Sequence, residues 1–207
     1  MYLVKGILNR IAILRRKKKN KLDRKRLKSN DISIIADNCN GGVILHDLGM
    51  KFDSPFVNLW IKPKDYLLLL SDLKNYLSKE LKFADDEEYS YPVGLLDDVR
   101  LYFQHYSTKE EAKKCWDRRV QRIHWDNLYI LFSDRDGCTD ENLHEYDSLP
   151  YKHKIVFTHT KREDISSAIY ISGFEDENQV GVLSEWRNPL KGERFIDEFD
   201  YVGWLNS

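Results

Sequence analysis

The run DNCNGG at residues 37–42 has the residue types best suited to nucleophilic chemistry in this chain. It lies between a predicted strand at residues 32–36 and a helical pattern at residues 43–48. Free N–H groups and the positive dipole end at the start of a helix lower the pKa of a thiol and can hold an oxyanion. Cys39 is therefore predicted to be the nucleophile of an acyl transfer, and a buried structural cysteine is the alternative. The predicted substrate contacts in this run are Asn38, Gly41 and Gly42.

Polar side chains suited to acid–base chemistry follow other predicted strands, at residues 99–103, 128–132 and 155–157. Open parallel sheets bind ligands beyond the carboxyl ends of their strands, so these side chains should share one rim with Cys39. A cysteine paired with a histidine and oriented by a carboxylate forms a nucleophilic triad in any chain order. A structural or merely polar role is the alternative for both histidines. The predicted catalytic residues are Cys39, His105, Asp134 and Asp136, and His159 is predicted to contact the substrate.

A predicted helix at residues 109–123 ends in a cluster of arginines, which we expect beside the same rim. Arg118 and Arg122 share one helix face, so they are predicted to clamp a phosphate or carboxylate of the substrate. Arg119 is offset from that face and is expected to pair with the body. Salt bridges to the body are the alternative for all three. The chain has no C-x-x-C zinc motif, EF-hand loop or familiar phosphate loop, so no metal site is predicted.

Short β-rich runs alternate with helical patterns over residues 30–207, which is the order expected of an α/β fold. Further strands are predicted at residues 57–61 and 168–171, and further helices at residues 65–81 and 140–148. The chain of 207 residues, 42% of them hydrophobic, is long enough to bury the core of one domain. We therefore predict a single α/β domain at residues 30–207, with a largely parallel central sheet flanked by helices.

Residues 1–29 differ sharply in charge from the remainder of the chain. They contain 12 Lys and Arg against one acid, a net charge of +11, which leaves about −12 for residues 30–207. This segment is predicted to be a basic amphipathic helical arm. Its apolar face is too short to span a bilayer, and its charge follows the apolar stretch, unlike a signal peptide. The apolar residues with near-helical spacing are Leu3, Val4, Ile7, Leu8, Ile11 and Leu14.

The arm predicts attachment to the anionic inner surface of the cell membrane, through an interfacial helix and a polybasic cluster. Nucleic-acid binding is disfavoured, because few aromatic residues interleave the cations and the body is acidic. A solvated tail, or a helix packed on the body or on another subunit, is the remaining alternative. The three cysteines, an odd number, argue against a disulfide framework and indicate a reducing compartment. Together with the arm, they predict a cytoplasmic protein that is peripheral at the inner face of the cell membrane. The predicted membrane-binding residues are Arg15, Arg16, Lys17, Lys18 and Lys19.

An ordered set of short motifs runs through the first three quarters of the chain. It comprises NCNGG at residues 38–42, SPFV at 54–57, DY at 65–66, YPVGLLDD at 91–98, HY at 105–106, EA at 111–112, WDRR at 116–119, RI at 122–123, DN at 126–127, CT at 138–139 and LPYK at 149–152. The set resembles a bacterial domain-of-unknown-function family of capsule and exopolysaccharide biosynthesis clusters, whose members are labelled exopolysaccharide biosynthesis proteins or acetyltransferases. The resemblance covers roughly residues 30–160 and extends more weakly to the C-terminus.

The resemblance implies an α/β body and a role in surface-glycan assembly, which proceeds on lipid carriers at the inner face of the membrane. We therefore expect a membrane-associated transferase, an O-acyltransferase with a Cys–His site, acting on a surface polysaccharide or its lipid-linked precursor. No tightly bound cofactor is expected, and acetyl-CoA or another acyl donor is the expected co-substrate. The alternatives are a non-catalytic glycan-binding or scaffold protein of the polysaccharide machinery, and a glycosyl or phosphoryl transferase.

Overall fold

The computed structural model describes residues 2–85 and 88–207, a part of the chain in which helices and strands alternate. The elements before residue 105 are α1 (Tyr2–Arg26), β1 (Ser33–Ala36), α2 (Asn40–Asp47), α3 (Pro63–Ser71), α4 (Leu73–Ser78), β2 (Lys82–Ala84), β3 (Val93–Leu96) and β4 (Val99–Tyr102). The later elements are α5 (Lys109–Val120), β5 (Leu128–Ser133), α6 (Asp140–Ser148), β6 (His153–Thr158), β7 (Ala168–Tyr170), β8 (Trp186–Asn188), β9 (Glu193–Arg194), a 3-10 helix (Phe195–Glu198) and α7 (Tyr201–Trp204).

A parallel sheet of four strands, in the order β1-β5-β6-β7, forms the centre of the fold. Every residue of β1 is buried, as are the last five residues of β5 and the last four of β6. Strands buried on both faces read as continuous apolar runs, which is why these segments were recognisable in the sequence. The prediction of an α/β fold with a largely parallel central sheet flanked by helices is confirmed.

Two hydrophobic clusters cover the opposite faces of this sheet. Ile35 of β1 belongs to the cluster that includes Tyr66 of α3 and Trp116 of α5. Its neighbour Ile34 belongs to the other cluster, which includes Leu45 of α2. Successive side chains of a strand point to opposite faces, so one strand contributes to both cores. Helix α2, which carries the predicted nucleophile at its start, is thereby held against one face of the sheet.

A second, antiparallel sheet contains β2, β3 and β4. The strand predicted at residues 99–103 is β4 of this sheet, and residues 57–61 pair through one isolated bridge, between Trp60 and Tyr102. The expectation that residues 57–61 and 99–103 are strands of the parallel sheet is therefore wrong. Only two residues, 97 and 98, connect β3 to β4, and so short a connection reverses the chain into an antiparallel hairpin.

The predicted helices are present with altered bounds. The pattern at residues 65–81 forms two helices, α3 and α4, which are separated at Asp72, where the backbone leaves the helical region. The pattern at residues 109–123 forms α5, and the pattern at 140–148 matches α6. Threonine side chains cap the starts of α5 and α6, at Thr108 and Thr139, by accepting a backbone N–H three residues on.

Helix α1 packs against the body through one face, on which Ala12, Arg16 and Asp23 are buried. The Arg16 guanidinium bonds to Asp47 at the end of α2, at 2.5 Å, and to Asp197 in the 3-10 helix. This arrangement corresponds to the alternative in which the arm is a helix packed on the body. The side chains of Leu3 and Val4, part of the predicted apolar face, lie outside the described residues.

The five consecutive cations predicted to bind a membrane point in different directions from α1. Arg16 is buried, and the Lys19 ammonium lies 2.5 Å from Asp23 and 3.3 Å from Asp197. The expectation that these two residues face a membrane is wrong, because each helix residue is rotated by about 100° from the last. Arg15, Lys17 and Lys18 are exposed. Among the described residues, no helix has the length and apolar character needed to cross a bilayer.

Candidate functional site

Asp37, the first residue after β1, is a buried carboxyl at the carboxyl edge of the parallel sheet. Ser133 Oγ donates to its Oδ1 at 3.4 Å, and Asn38 Nδ2 donates to its Oδ2 at 3.3 Å. Burial, and after it the nearby charge of Asp136, raise the pKa of Asp37 well above its usual value. Asp37 is therefore held in its protonated form at pH values where an exposed aspartate is ionised.

Asn38 shapes the turn between β1 and α2. Its Nδ2 also donates to Ser133 Oγ at 2.8 Å, and its Oδ1 accepts the backbone N–H of Asn40 at 2.9 Å. The amide thus ties the ends of two neighbouring strands, β1 and β5, to the first turn of α2. This network fixes the backbone that carries Cys39.

Cys39 is the N-cap residue of α2, so its thiol lies at the positive end of that helix. Its Sγ lies 3.6 Å from Nε2 of Gln104 and 4.0 Å from the carbonyl oxygen of Leu59. Burial raises the pKa of the thiol, the Gln104 amide lowers it, and the Asp37 carboxyl raises it further only when that carboxyl is ionised. The expectation of a lowered thiol pKa is therefore wrong, because burial disfavours the charged thiolate.

Two clefts meet at Cys39, which lines both of them. The small cleft, of about 250 Å³, is also lined by Asn38, Trp60, Gln104, Arg135 and Asp136. The large cleft, of about 640 Å³, is also lined by Gly42, Asn58, His105, Ser184 and Arg194. His105 therefore shares the large cleft with the thiol, and Asp136 shares the small cleft with it. No hydrogen bond joins Cys39 to either residue within the part of the chain that the structure describes.

Asp134 and His159 form a hydrogen-bonded pair at the ends of β5 and β6. Oδ2 of Asp134 accepts from the backbone N–H of His159 at 2.8 Å and lies 2.6 Å from its Nδ1. Oδ1 accepts the backbone N–H of Val180 at 2.7 Å. The buried carboxylate thus fixes the imidazole so that Nδ1 carries the proton, and Nε2 is left as the acceptor. Asp134 orients His159 and not His105.

The arginines predicted beside Cys39 lie at the opposite edge of the sheet. Helix α5 leads into β5, and a helix that precedes a parallel strand ends near the amino end of that strand. The backbone N–H of His124, just after this helix, accordingly bonds to Ser33 at the start of β1. The predicted placement of Arg118 and Arg122 is therefore wrong, and both are exposed and line neither cleft at Cys39.

Arg119 behaves as predicted and contacts the body. It is 8% exposed, donates to the Tyr106 hydroxyl at 2.6 Å, and its guanidinium lies 5.5 Å from the centre of the Phe52 ring. The Tyr106 hydroxyl in turn donates to the carbonyl oxygen of Val57. Arg119 therefore helps to hold the segment that follows β4 against residues 52–57.

The two glycines of the Cys39 turn differ in their surroundings. A Cβ on Gly41 would lie 3.0 Å from Cβ of Ala36 and 3.0 Å from Cγ2 of Ile34. Gly41 is therefore required for the close packing of α2 on β1. Gly42 would meet only Val57, at 3.4 Å, and it lines the large cleft. A substrate contact at either glycine stays a prediction. Gly42 is the better candidate of the two, because it lines the large cleft.

Sequence reasoning missed Gln104 and Trp60, two residues that line the small cleft with Cys39. Gln104 directly follows the strand predicted at residues 99–103, so the rule that singled out His105 could have found it. Trp60 lies inside a segment read as an ordinary strand, and only the bridge to Tyr102 reveals its place beside the thiol. Cys138 is partly buried, and burial and the neighbouring aspartates raise its pKa to about 12, so it is an inert thiol.

Comparisons with known proteins place this site within a larger set of related chains. The sequence profile described as "Domain of unknown function (DUF1919)" matches residues 10–206. A protein of Haemophilus influenzae, described as "Uncharacterized protein", is 42% identical over 187 residues, which is 90% of each chain. The matched range contains both clefts and most of α1. The expectation of a domain-of-unknown-function family is confirmed, over more of the chain than the motifs indicated.

Proposed function

The chain belongs to the DUF1919 family, and we propose that it is a membrane-associated O-acyltransferase acting on a bacterial surface polysaccharide or its lipid-linked precursor. The observation that supports this proposal is the position of the Cys39 thiol, which borders two clefts at once. An acyl donor in one cleft and a hydroxyl acceptor in the other would each reach the sulfur. Gln104 Nε2, 3.6 Å from Sγ, supplies a neutral donor for the oxyanion formed on the acyl carbon.

The resting thiol is protonated because burial raises its pKa, so transfer needs a base. His105 lines the large cleft and is assigned that role. The thiolate attacks the carbonyl of an acyl donor such as acetyl-CoA, the donor's C–S bond breaks, and the leaving CoA thiolate takes the proton from His105. The acceptor hydroxyl then gives its proton to His105 and attacks the acyl carbon of the Cys39 thioester. The bond from that carbon to Sγ breaks, and the departing thiolate takes the proton from His105, which restores the thiol.

The Asp134–His159 pair has a separate role in this proposal. Asp134 holds Nδ1 of His159 at 2.6 Å, so in the neutral imidazole Nε2 is left to accept a hydrogen bond from a sugar hydroxyl. This contact would lie outside the two clefts at Cys39, which His159 does not line. A histidine fixed in this way can discriminate between acceptor hydroxyls without taking part in the covalent step. Asp136 lines the small cleft, where its carboxylate could accept a hydrogen bond from a hydroxyl of the acceptor glycan.

Attachment to an anionic membrane surface would bring the enzyme to lipid-linked substrates. The outer face of α1, opposite the buried Arg16, presents the exposed apolar residues Ile7 and Leu14. The same stripe continues with exposed Lys18, Lys21 and Lys25, at spacings of three and four residues. An apolar segment followed by cations on one face suits the interface of an anionic bilayer.

The proposal is tested by mass spectrometry of surface polysaccharide from a deletion strain complemented with the wild type, Cys39→Ser or Cys115→Ser. Cys115, a partly buried cysteine of α5, is the matched control because it lines neither cleft. We expect acyl groups to be absent in the deletion strain and with Cys39→Ser, and present with Cys115→Ser. Acyl groups retained with Cys39→Ser or Cys39→Ala would contradict a covalent role of this thiol.

A non-catalytic glycan-binding protein is a second candidate, because half-buried aromatic side chains, Trp60 and Tyr91, lie beside the small cleft. Aromatic side chains with a polar edge suit recognition of sugars, which present apolar C–H faces and hydroxyls. The same complementation experiment separates the two candidates. A scaffold protein would alter the amount of polysaccharide in the deletion strain, and Cys39→Ser would restore it fully.

A further inference from the structure

We infer that an aromatic surface next to the small cleft binds consecutive sugar rings of the acceptor glycan. This inference rests on the proposed function and names the substrate subsite for it. The surface, called here the aromatic platform, consists of the half-buried Trp60, Tyr89 and Tyr91 and is supported from below by the buried Tyr102 ring.

The backbone fixes the orientation of the Trp60 ring. Trp60 and Tyr102 exchange two backbone hydrogen bonds, of 3.0 and 2.9 Å, in the bridge that joins residue 60 to β4. Their rings stack with centroids 4.1 Å apart and planes inclined by 14°. Tyr102 is buried, so it anchors the pair, and Trp60 is half-buried and lines the small cleft. A rigid indole thus borders the cleft that contains Cys39.

The platform continues from Trp60 to a further cleft. Nε1 of Trp60 donates to the Tyr91 hydroxyl at 3.4 Å, and the Tyr89 ring lies 5.3 Å from the Tyr91 ring and 5.1 Å from the Tyr102 ring. Tyr89 and Tyr91 line this further cleft, of about 640 Å³, which we call the tyrosine cleft. Other residues that line it are Asp85, Ser90, Ser107, Thr108, Lys109 and Glu110.

This combination of groups matches the chemistry of an oligosaccharide. Pyranose rings present apolar C–H faces that pack on aromatic rings, and their hydroxyls bond to serine, threonine and carboxylate side chains. The Lys109 ammonium lies 2.6 Å from Asp85, so this cation is already paired. The residues that line the tyrosine cleft therefore supply no surplus positive charge for a nucleotide or a diphosphate. A cation beside the platform is Lys62, whose ammonium lies 5.6 Å from the centre of the Tyr102 ring. A platform that spans two clefts fits a chain of rings better than one sugar.

The test is a binding titration of the full-length chain with an array of short bacterial surface-polysaccharide fragments, with ADP as the nucleotide probe. We expect at least one fragment to bind, and Trp60→Ala and Tyr91→Ala each to weaken its binding about tenfold, the effect of one lost stacking contact. Trp60→Phe, which keeps a ring, should bind more tightly than Trp60→Ala. The control is Trp125→Ala, at a half-buried tryptophan that lines neither the small cleft nor the tyrosine cleft, and it should bind as the wild type does.

The inference is overturned if none of the fragments binds, or if both alanine variants bind with wild-type affinity. If ADP binds more tightly than every fragment and Trp60→Ala weakens that binding, the inference is also overturned. The platform would then bind the nucleotide base of an acyl donor. If Trp60→Ala is unfolded by circular dichroism, Tyr91→Ala decides the question alone. Cys39→Ser should bind fragments normally. If fragments bind at the platform and cells with Cys39→Ser still acylate their polysaccharide fully, the proposed transferase mechanism is contradicted. The inference about the platform would then still hold.

Discussion

At the scale of single residues, the chemistry of the site depends on which charges are buried. Asp37 and Cys39 are two residues apart, and burial shifts the pKa of both upward, because each group is charged only when deprotonated. When Asp37 is protonated, the surroundings of Cys39 carry less negative charge than they would beside an ionised aspartate. A negative charge there would oppose the thiolate and the oxyanion that acyl transfer requires.

The raised pKa of Asp37 has a consequence for stability that Asp37→Asn can reveal. Above about pH 4 the unfolded chain loses this proton while the folded chain keeps it, so folding stability falls as the pH rises toward the folded pKa. Asp37→Asn removes this effect. We expect the variant to gain stability relative to the wild type at pH 7, and the gain to shrink as the pH is lowered through 4.

Urea unfolding of both proteins between pH 3.5 and pH 8 is the measurement. The control is Asp31→Asn, an exposed aspartate before β1, whose stability difference from the wild type should change little over this range. A gain for Asp37→Asn that is the same at every pH would show that folding leaves the pKa of the wild-type carboxyl unchanged.

At the scale of the elements, α1 and α2 are joined by buried ion pairs. Arg16 of α1 lies between Asp47 of α2 and Asp197 of the 3-10 helix, and Arg194 also bonds to Asp47 at 2.9 Å. Burial alone would raise the pKa of Asp197, but the hydrogen bond from Arg16 lowers it. The helix proposed to face the membrane is thus fixed to the helix that carries Cys39.

Loss of the Arg16 side chain leaves two buried carboxylates without their shared cation. We expect Arg16→Ala to lower the free energy of unfolding by about 3 kcal/mol, since breaking one side of a buried ion pair strands the other. Arg15→Ala, at the exposed neighbouring position, should change it by less than about 0.5 kcal/mol. Chemical denaturation of the two variants measures both values, and equal effects would contradict a docking role for Arg16.

At the scale of the whole molecule, charge is separated between α1 and the body. The net charge of +11 in residues 1–29 faces a remainder of about −12. Only part of this attraction is used within the chain, because Arg16 and Lys19 pair with the body while Lys18, Lys21 and Lys25 remain exposed. The exposed cations give the outer face of α1 a positive surface.

The proposed membrane surface is tested by cosedimentation of the full chain with vesicles rich in phosphatidylglycerol. The triple replacement of Lys18, Lys21 and Lys25 by Glu should weaken binding at least a hundredfold, since each lysine contributes about 1 kcal/mol near an anionic surface. Binding of the wild type should also weaken as salt rises. Point variants are used because deletion of α1 would expose the buried Asp47 and Asp197.

The matched control has the same change in net charge on the body, with Glu replacing the exposed residues Lys64, Lys114 and Lys152. It should bind vesicles nearly as well as the wild type. Equal losses in the two triple variants would show that net charge alone governs sedimentation, and wild-type binding in the α1 variant would remove the proposed membrane surface.

The sequence by itself determined the features that depend on neighbours along the chain. Continuous apolar runs specified the buried parallel strands, and the helical period specified α5 and α6, because local burial patterns differ for strands and helices. The strand-end rule also located Asp37, Cys39, Asp134 and His159 at one edge of the sheet. That rule holds because all strands of a parallel sheet end at the same edge.

The tertiary structure decided which of those groups contact one another and in which protonation state. His105 reaches the large cleft from the segment that follows an antiparallel hairpin, Asp134 pairs with His159, and Arg118 and Arg122 line neither cleft at Cys39. A sequence does not show how deeply each ionisable group is buried, so it could not show that burial raises the pKa of Cys39. Desolvation and pairing depend on every element packed around a group, and those elements come from distant parts of the chain.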